Sequence, residues 1–187
     1  MNDTIALLKR RRSAPPAVMS DPGPTAEELK TILTIASRVP DHGKLAPWRF
    51  VVFEGGARER AGRIALGVRL EDKPDLDEGA KAEELCRFTR APLVVAVVSR
   101  AAAHAKIPEW EQVLSSGAAC MNLIVAARAL RFSTWLTEWT AYDSRFRAAI
   151  GLAEHERIAG FIHIGKAAPI DDRPRPPLDE IVTAFPA

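Results

Sequence analysis

Asp41, His42 and Lys44 fall within four positions of one another in the stretch RVPDHGKLAPWRF, residues 38–50. A carboxylate, an imidazole and an ammonium so close together can attract charge, orient a ligand or move a proton. Pro40 and Gly43 break the chain between them, so the three groups are expected on a turn with Arg38 at its leading edge. The apolar run before Arg38 reads as a helix. Trp48–Phe53 reads as a strand closed by Gly55-Gly56. Loops held between rigid elements often carry ligands. An ordinary reading stands beside this one, in which Asp41 caps, His42 and Lys44 are solvated and Arg38 pairs with an acid.

A second candidate is the run Lys9-Arg10-Arg11-Arg12 with Ser13 behind it. Two guanidinium forks and a hydroxyl suit a phosphate, because Arg pairs bidentately with its oxygens and Ser adds a donor. Cations at the end of a helix over residues 3–12 also complement its dipole, and spacing alone leaves both readings open. Nucleic acid is disfavoured, because the net charge is only +2 and no second basic stripe or aromatic platform accompanies the run. Other chemistries lack their residues. There is no G-x-S-x-G elbow, no G-x-G-x-x-G and no Walker sequence. His42, His104, His155 and His163 are never at metal-ligand spacing. His163 alternates with apolar residues, as a sheet histidine does. No catalytic acid–base or nucleophilic set and no metal site are expected.

The elements that must position these groups follow from periodicity. Residues 3–12 carry Ile5, Leu7 and Leu8 as a short helix. Thr25 and Glu28 fit a capping box that opens a helix with Leu29, Ile32, Leu33 and Ala36 on one face, ended by Pro40. Residues 57–70 and 80–89 read as helices around an acidic insert, EDKPDLDEG (71–79). LVVAVV (93–98) is a continuous β-branched run, expected at the sheet centre with both faces covered. Pro108 suits the first turn of a long helix to about Arg131, whose middle is small or apolar nearly all round and therefore buried. Residues 132–137 and 158–164 read as further strands, with a helix at 142–150 between them. This order predicts an α+β fold, a small mostly antiparallel sheet of four or five strands flanked by helices. The Pro-rich tail after Gly165 reads as an arm that packs on something else, such as a second subunit.

The chain has 187 residues, 47% hydrophobic and 27% charged, which suits one domain over 1–187. Cys86 and Cys120 are far apart and form no framework, which fits a reducing, cytoplasmic setting. The N-terminus does not read as a secretory signal, and no apolar run approaches the roughly 20 residues that span a bilayer. No membrane partner is expected.

The segments RRS (11–13), SRVPDHGKLAPWRFVVFEG (37–55), RAPLVVAVVS (90–99), KIPEWEQVLSSGAACMNLIVAA (106–127) and IAGFIHIGKA (158–167) together resemble the nitroreductase family. The chain is most similar to its small bacterial FMN-dependent NAD(P)H members. The resemblance covers nearly the whole chain. It implies a nitroreductase-like fold in a domain-embracing homodimer with FMN at the interface. It implies hydride transfer from NADH or NADPH and electron delivery to a small-molecule acceptor, nitro or quinone-like, by a ping-pong mechanism. Carried over by position, Arg11, Arg12 and Ser13 hold the FMN phosphate and ribityl end. Arg38 and His42 reach the flavin of the neighbouring subunit, with Lys44 adding positive charge nearby. Leu136, Thr137 and Glu138 occupy the flavin-touching segment after the long helix, where the family pattern has a Trp-Arg-Ser-like run. Ala126, Ala127, Arg128, Ala129, Leu130 and Arg131 match a stretch associated with the nicotinamide dinucleotide, and Lys166 approaches the FMN phosphate. The acidic insert at 71–79 is expected to cover the pocket. The alternative is an FMN-binding protein of the same fold with another flavin reaction or no turnover.

Overall fold

The structure is a computed structural model and describes residues 3–136 and 139–185. Its centre is one antiparallel sheet of β1 (Trp48–Phe53), β2 (Leu93–Ser99), β3 (Ser133–Leu136) and β4 (Arg157–Gly165), in the order β1-β2-β4-β3. β2 is buried at every position, as its unbroken β-branched run requires of a strand covered on both faces. Alternation along the strands divides the core in two. Leu93, Val95, Val97, Ile162 and Ile164 pack with Leu123, Ala127 and Ile32, which come from α5 (Glu109–Ala129) and α2 (Ala26–Ala36). Val94, Ala96, Val98 and Phe161 point the other way. They pack with Phe53, Phe88, Phe146 and the small residues Ala61 and Ala65 of α3 (Gly56–Asp72). Phe88 stacks on Phe146 with centroids 5.6 Å apart and meets Phe161 edge-on at 5.2 Å, geometries that suit the ring quadrupoles. Each such side chain contributes about 1.5–3 kcal/mol by burial.

Local chemistry sets the helix boundaries. Thr25 accepts from the Glu28 amide while the Glu28 carboxylate accepts from the Thr25 amide, the reciprocal cap read from the sequence. α1 (Asp3–Arg10) stops two residues earlier than periodicity predicts, because the Ala14 amide donates to the Thr134 carbonyl at 3.0 Å and draws the chain to the edge of β3. The acidic insert is shorter than expected. α3 continues to Asp72, α4 (Glu78–Cys86) already begins at Glu78, and the Asp77 side chain caps it. Asp72 and Glu71 are tied to Arg145 in the first turn of α6 (Ser144–Ala149). Arg49 grips Glu156 through two 2.7 Å bonds, and that grip holds the Glu156 carboxyl down at about 2, below its ordinary 4.5. Lys166, just beyond β4, bridges to Ser20; from residue 168 on, the described tail is exposed and carries the short α7 (Leu178–Ile181). Among the described residues no helix is long and apolar enough to cross a membrane.

Candidate functional site

The turn between α2 and β1 carries Arg38 and His42, and α5 holds it in place. Ser115 Oγ donates to the Pro40 carbonyl at 2.6 Å and accepts from Trp48 Nε1. Ser116 Oγ donates to the Pro47 carbonyl, and Asn122 Nδ2 donates to the carbonyls of Ile35 and Arg38. Glu111 Oε2 lies 2.7 Å from His42 Nδ1. That pair is exposed and adds little stability by itself, but it fixes the direction of the ring. Within the turn Asp41 accepts from the amides of Leu45 and Ala46, which is the capping role the ordinary reading assigned to it. Gly43, Lys44 and Ala46 all have positive φ, at 75°, 55° and 45°. A side chain in that region costs about 1–2 kcal/mol, and such strain collects where function needs a fixed backbone. At Gly43 a Cβ would also run into Ile107 Cδ1, so glycine suits the position on both counts.

The basic run lies toward the other end of α5. Arg12, Ser13, Trp135, Leu136, Arg173, Pro174 and Arg175 line a cleft of about 570 Å³. Arg11 Nη1 donates to Ser13 Oγ at 3.3 Å, and Arg12 Nε donates to the Asp171 carbonyl at 2.9 Å, so Arg12 joins the tail to the cleft wall. Burial first, then the charges of Arg175, Arg12 and Arg128, lower the affinity of the Arg11 guanidinium for its proton. This is a concentration of positive charge around a hydroxyl and an indole. Such a donor set fits a phosphate-bearing aromatic group such as FMN. Neither Arg38 nor His42 is among the described residues that line the cleft. Seventeen residues separate Glu111, which holds His42, from Arg128, beside Arg11. That is about 25 Å along the helix axis.

The remaining expected residues divide. Leu136 lines the cleft. Thr137 and Glu138 lie outside the described residues. Immediately after them Trp139 is clasped by Arg69 and Arg87 at 5.6 and 5.7 Å from its ring, and its Nε1 donates to Glu84. Ala126, Ala127, Arg128 and Ala129 form the last turn of α5, with Leu130 and Arg131 just beyond. Ala126 and Ala127 are buried, while Arg128 and Arg131 reach a separate cleft with Arg10 and Leu7. Lys166 Nζ sits 3.6 Å over the Phe132 ring and donates to the Arg131 carbonyl. Cys120 is buried in α5, and burial pushes its thiol up to about 12, so it is no nucleophile.

Sequence reasoning passed over Arg173 and Arg175, although the basic pair in RPRPP is visible within the tail. It also passed over Ser115, Ser116 and Glu111 as supports of the turn. Their signal was polarity within an otherwise apolar helix.

Compared with known proteins, the chain matches the Nitroreductase family over residues 8–166. It is 36% identical over 168 residues to the "Putative NAD(P)H nitroreductase YdjA" of Escherichia coli K12, covering 87% of each chain. Its structure resembles that of a nitroreductase-like family protein from Bacillus cereus, with a TM-score of 0.83 at 21% identity, covering 99% of this chain and 97% of the other. It also resembles the FMN and NADPH-dependent nitroreductase NfnB from "sphigopyxis sp. strain HMH", with a TM-score of 0.73 at 19% identity and coverage of 98% and 99%.

Proposed function

The chain belongs to the nitroreductase family, and from that premise we propose that it is an FMN-dependent oxidoreductase. It takes hydride from NAD(P)H and passes electrons to nitro or quinone-like acceptors. The observation that carries this reading is the cleft in which Arg12, Arg173, Arg175 and Ser13 meet Trp135 and Leu136. Guanidinium and hydroxyl donors suit the phosphate end of FMN, and the indole and leucine suit its apolar ring. Bound there, FMN would supply the hydride-accepting centre, and the residues of the cleft would hold and orient it.

In this reading Arg11 backs the phosphate grip by polarising Ser13, and Arg12 couples the grip to the tail. Leu136 borders the ring, and the clasp of Arg69 and Arg87 on Trp139 steadies the chain that follows; a contact of Thr137 and Glu138 with the flavin stays what the resemblance implies. Lys166 supports the same region through the Arg131 carbonyl. Residues 126–131 border the nicotinamide dinucleotide. Arg38 and His42 act on the cleft of a second copy, since neither is among the described residues that line the cleft of their own chain and Glu111 holds His42 toward the far end of α5. A homodimer also explains why Trp110, Val113, Leu114 and Met121 form an exposed stripe on α5, with Leu178, Ile181, Val182 and Phe185 exposed on the tail. The free cysteines Cys86 and Cys120 fit a reducing compartment such as the cytoplasm.

The test is to purify the protein with excess FMN and mix it anaerobically with NADH or NADPH. Retained yellow flavin that bleaches with either nicotinamide and recovers with a quinone or nitroarene is expected. Arg12→Ala with Ser13→Ala should lose FMN at least tenfold more readily. Failure of the wild type to retain FMN overturns the proposal. Retention without reduction favours the alternative of a flavin protein with other chemistry.

A further inference from the structure

α5 ends in a Schellman motif. The Phe132 amide donates to the Ala127 carbonyl and the Arg131 amide to the Arg128 carbonyl, at 2.9 Å each. The residue at the left-handed position of this motif is ordinarily glycine, which has no Cβ to strain. Here it is Arg131, at φ 64°. A long charged side chain is thus kept where the backbone favours none.

Its surroundings indicate what it is kept for. Arg131, Arg128 and Arg10, with Leu7, line a cleft of about 350 Å³ between α1 and the end of α5. Among the described residues no carboxylate pairs with any of the three guanidinium groups. Arg10 Nε donates to the Ala6 carbonyl of its own helix. Unpaired like charges repel and destabilise the folded state unless an anion joins them. The cleft is a near neighbour of the Ser13 cleft, because Arg10 lines one and Arg12 the other, and two residues span at most about 7 Å. Arg11 stands between them.

We propose that the Arg10–Arg128–Arg131 cleft is a second anion site that takes the 2′-phosphate of NADPH and so selects NADPH over NADH. The inference rests on the reading of the chain as an NAD(P)H-dependent enzyme. A phosphomonoester carries nearly two charges and three terminal oxygens, which matches three separate guanidinium groups. The internal pyrophosphate of a dinucleotide carries less charge per phosphorus and is flanked by sugar on both sides.

The test is calorimetric titration of the FMN-loaded protein with 2′,5′-ADP, with 5′-ADP and with inorganic phosphate at one ionic strength. Tighter binding of 2′,5′-ADP, by at least tenfold over either of the others, is expected. Arg131→Gly should shrink that preference to within about twofold while raising the melting temperature by about 2–4 °C, because glycine relieves the left-handed strain. The rise in melting temperature separates loss of the site from loss of the fold. Arg10→Ala and Arg128→Ala should shrink the preference as well. The NADPH to NADH ratio of kcat/KM should fall in the same variants. Equal binding of 2′,5′-ADP and 5′-ADP, binding of free phosphate as tight as that of 2′,5′-ADP, or a preference that survives Arg131→Gly overturns the proposal. If neither nicotinamide reduces the flavin, the functional reading fails, and the titration still decides whether the cleft reads a 2′-phosphate.

Discussion

His163 shows what one residue can reveal about its surroundings. The sequence places it among apolar residues in a strand, and the structure buries it completely beside Phe88. Burial first, then the charges of Arg87 and Arg90, push its imidazole down to about 4 from an ordinary 6.5. The folded state therefore favours the neutral ring. Its contribution to stability is fully present above pH 6.5 and is lost as pH falls from 6.5 to about 4. One proton taken up on unfolding makes the slope in that window at most about 1.4 kcal/mol per pH unit. His163→Leu should remove this component, so that wild-type and variant stabilities diverge between pH 4 and 6.5. Urea midpoints at several pH values measure it, and parallel curves would disprove it. His42 is also a histidine near charge, yet it is exposed and bound to Glu111. Residue type could not distinguish the two. Burial and partner do.

At the scale of elements, α5 does two jobs. Its apolar faces cover the sheet, and its polar residues hold the turn that carries Arg38 and His42. The helix was legible because Pro108 and a long small-apolar run left little else for it to be. The bonds from Ser115, Ser116 and Asn122 to backbone carbonyls 69 to 87 positions away were not, because no local pattern names a partner that distant. Replacing Ser115 and Asn122 together by alanine leaves the carbonyls of Pro40, Ile35 and Arg38 without these donors, each loss costing on the order of 1 kcal/mol. Amide exchange over residues 38–46 should then accelerate several-fold while the middle of α5 stays protected. Unchanged protection of the turn would show that its own strained backbone suffices. Boundaries were the weaker part of the reading. α1 ended early for a pairing with β3, and the acidic insert shrank because Asp72 and Asp77 each found a structural partner.

For the whole molecule, the clearest feature is apolar surface left uncovered in one chain. Trp110 is 68% exposed and Phe185 is 96% exposed, and a lone chain gains nothing from showing either. With His42 and the Ser13 cleft toward opposite ends of α5, both facts support the proposed second copy, which would cover the stripe and complete the site. Leu114→Glu with Met121→Glu should convert a dimer to a monomer by light scattering and lower FMN retention at least tenfold. A monomeric wild type that retains FMN would refute this. The α+β class, the order of the strands along the chain, the central place of β2 and the basic and turn motifs were all determined by the sequence, because periodicity, caps and breakers act within a few residues. The convergence of Arg173 and Arg175 on Ser13, the gathering of Arg10 with Arg128 and Arg131, and the clasp on Trp139 were decided only by tertiary structure. Those groups meet because the sheet brings distant segments side by side, and the strength of a charge or a hydrogen bond depends on separation in space rather than along the chain.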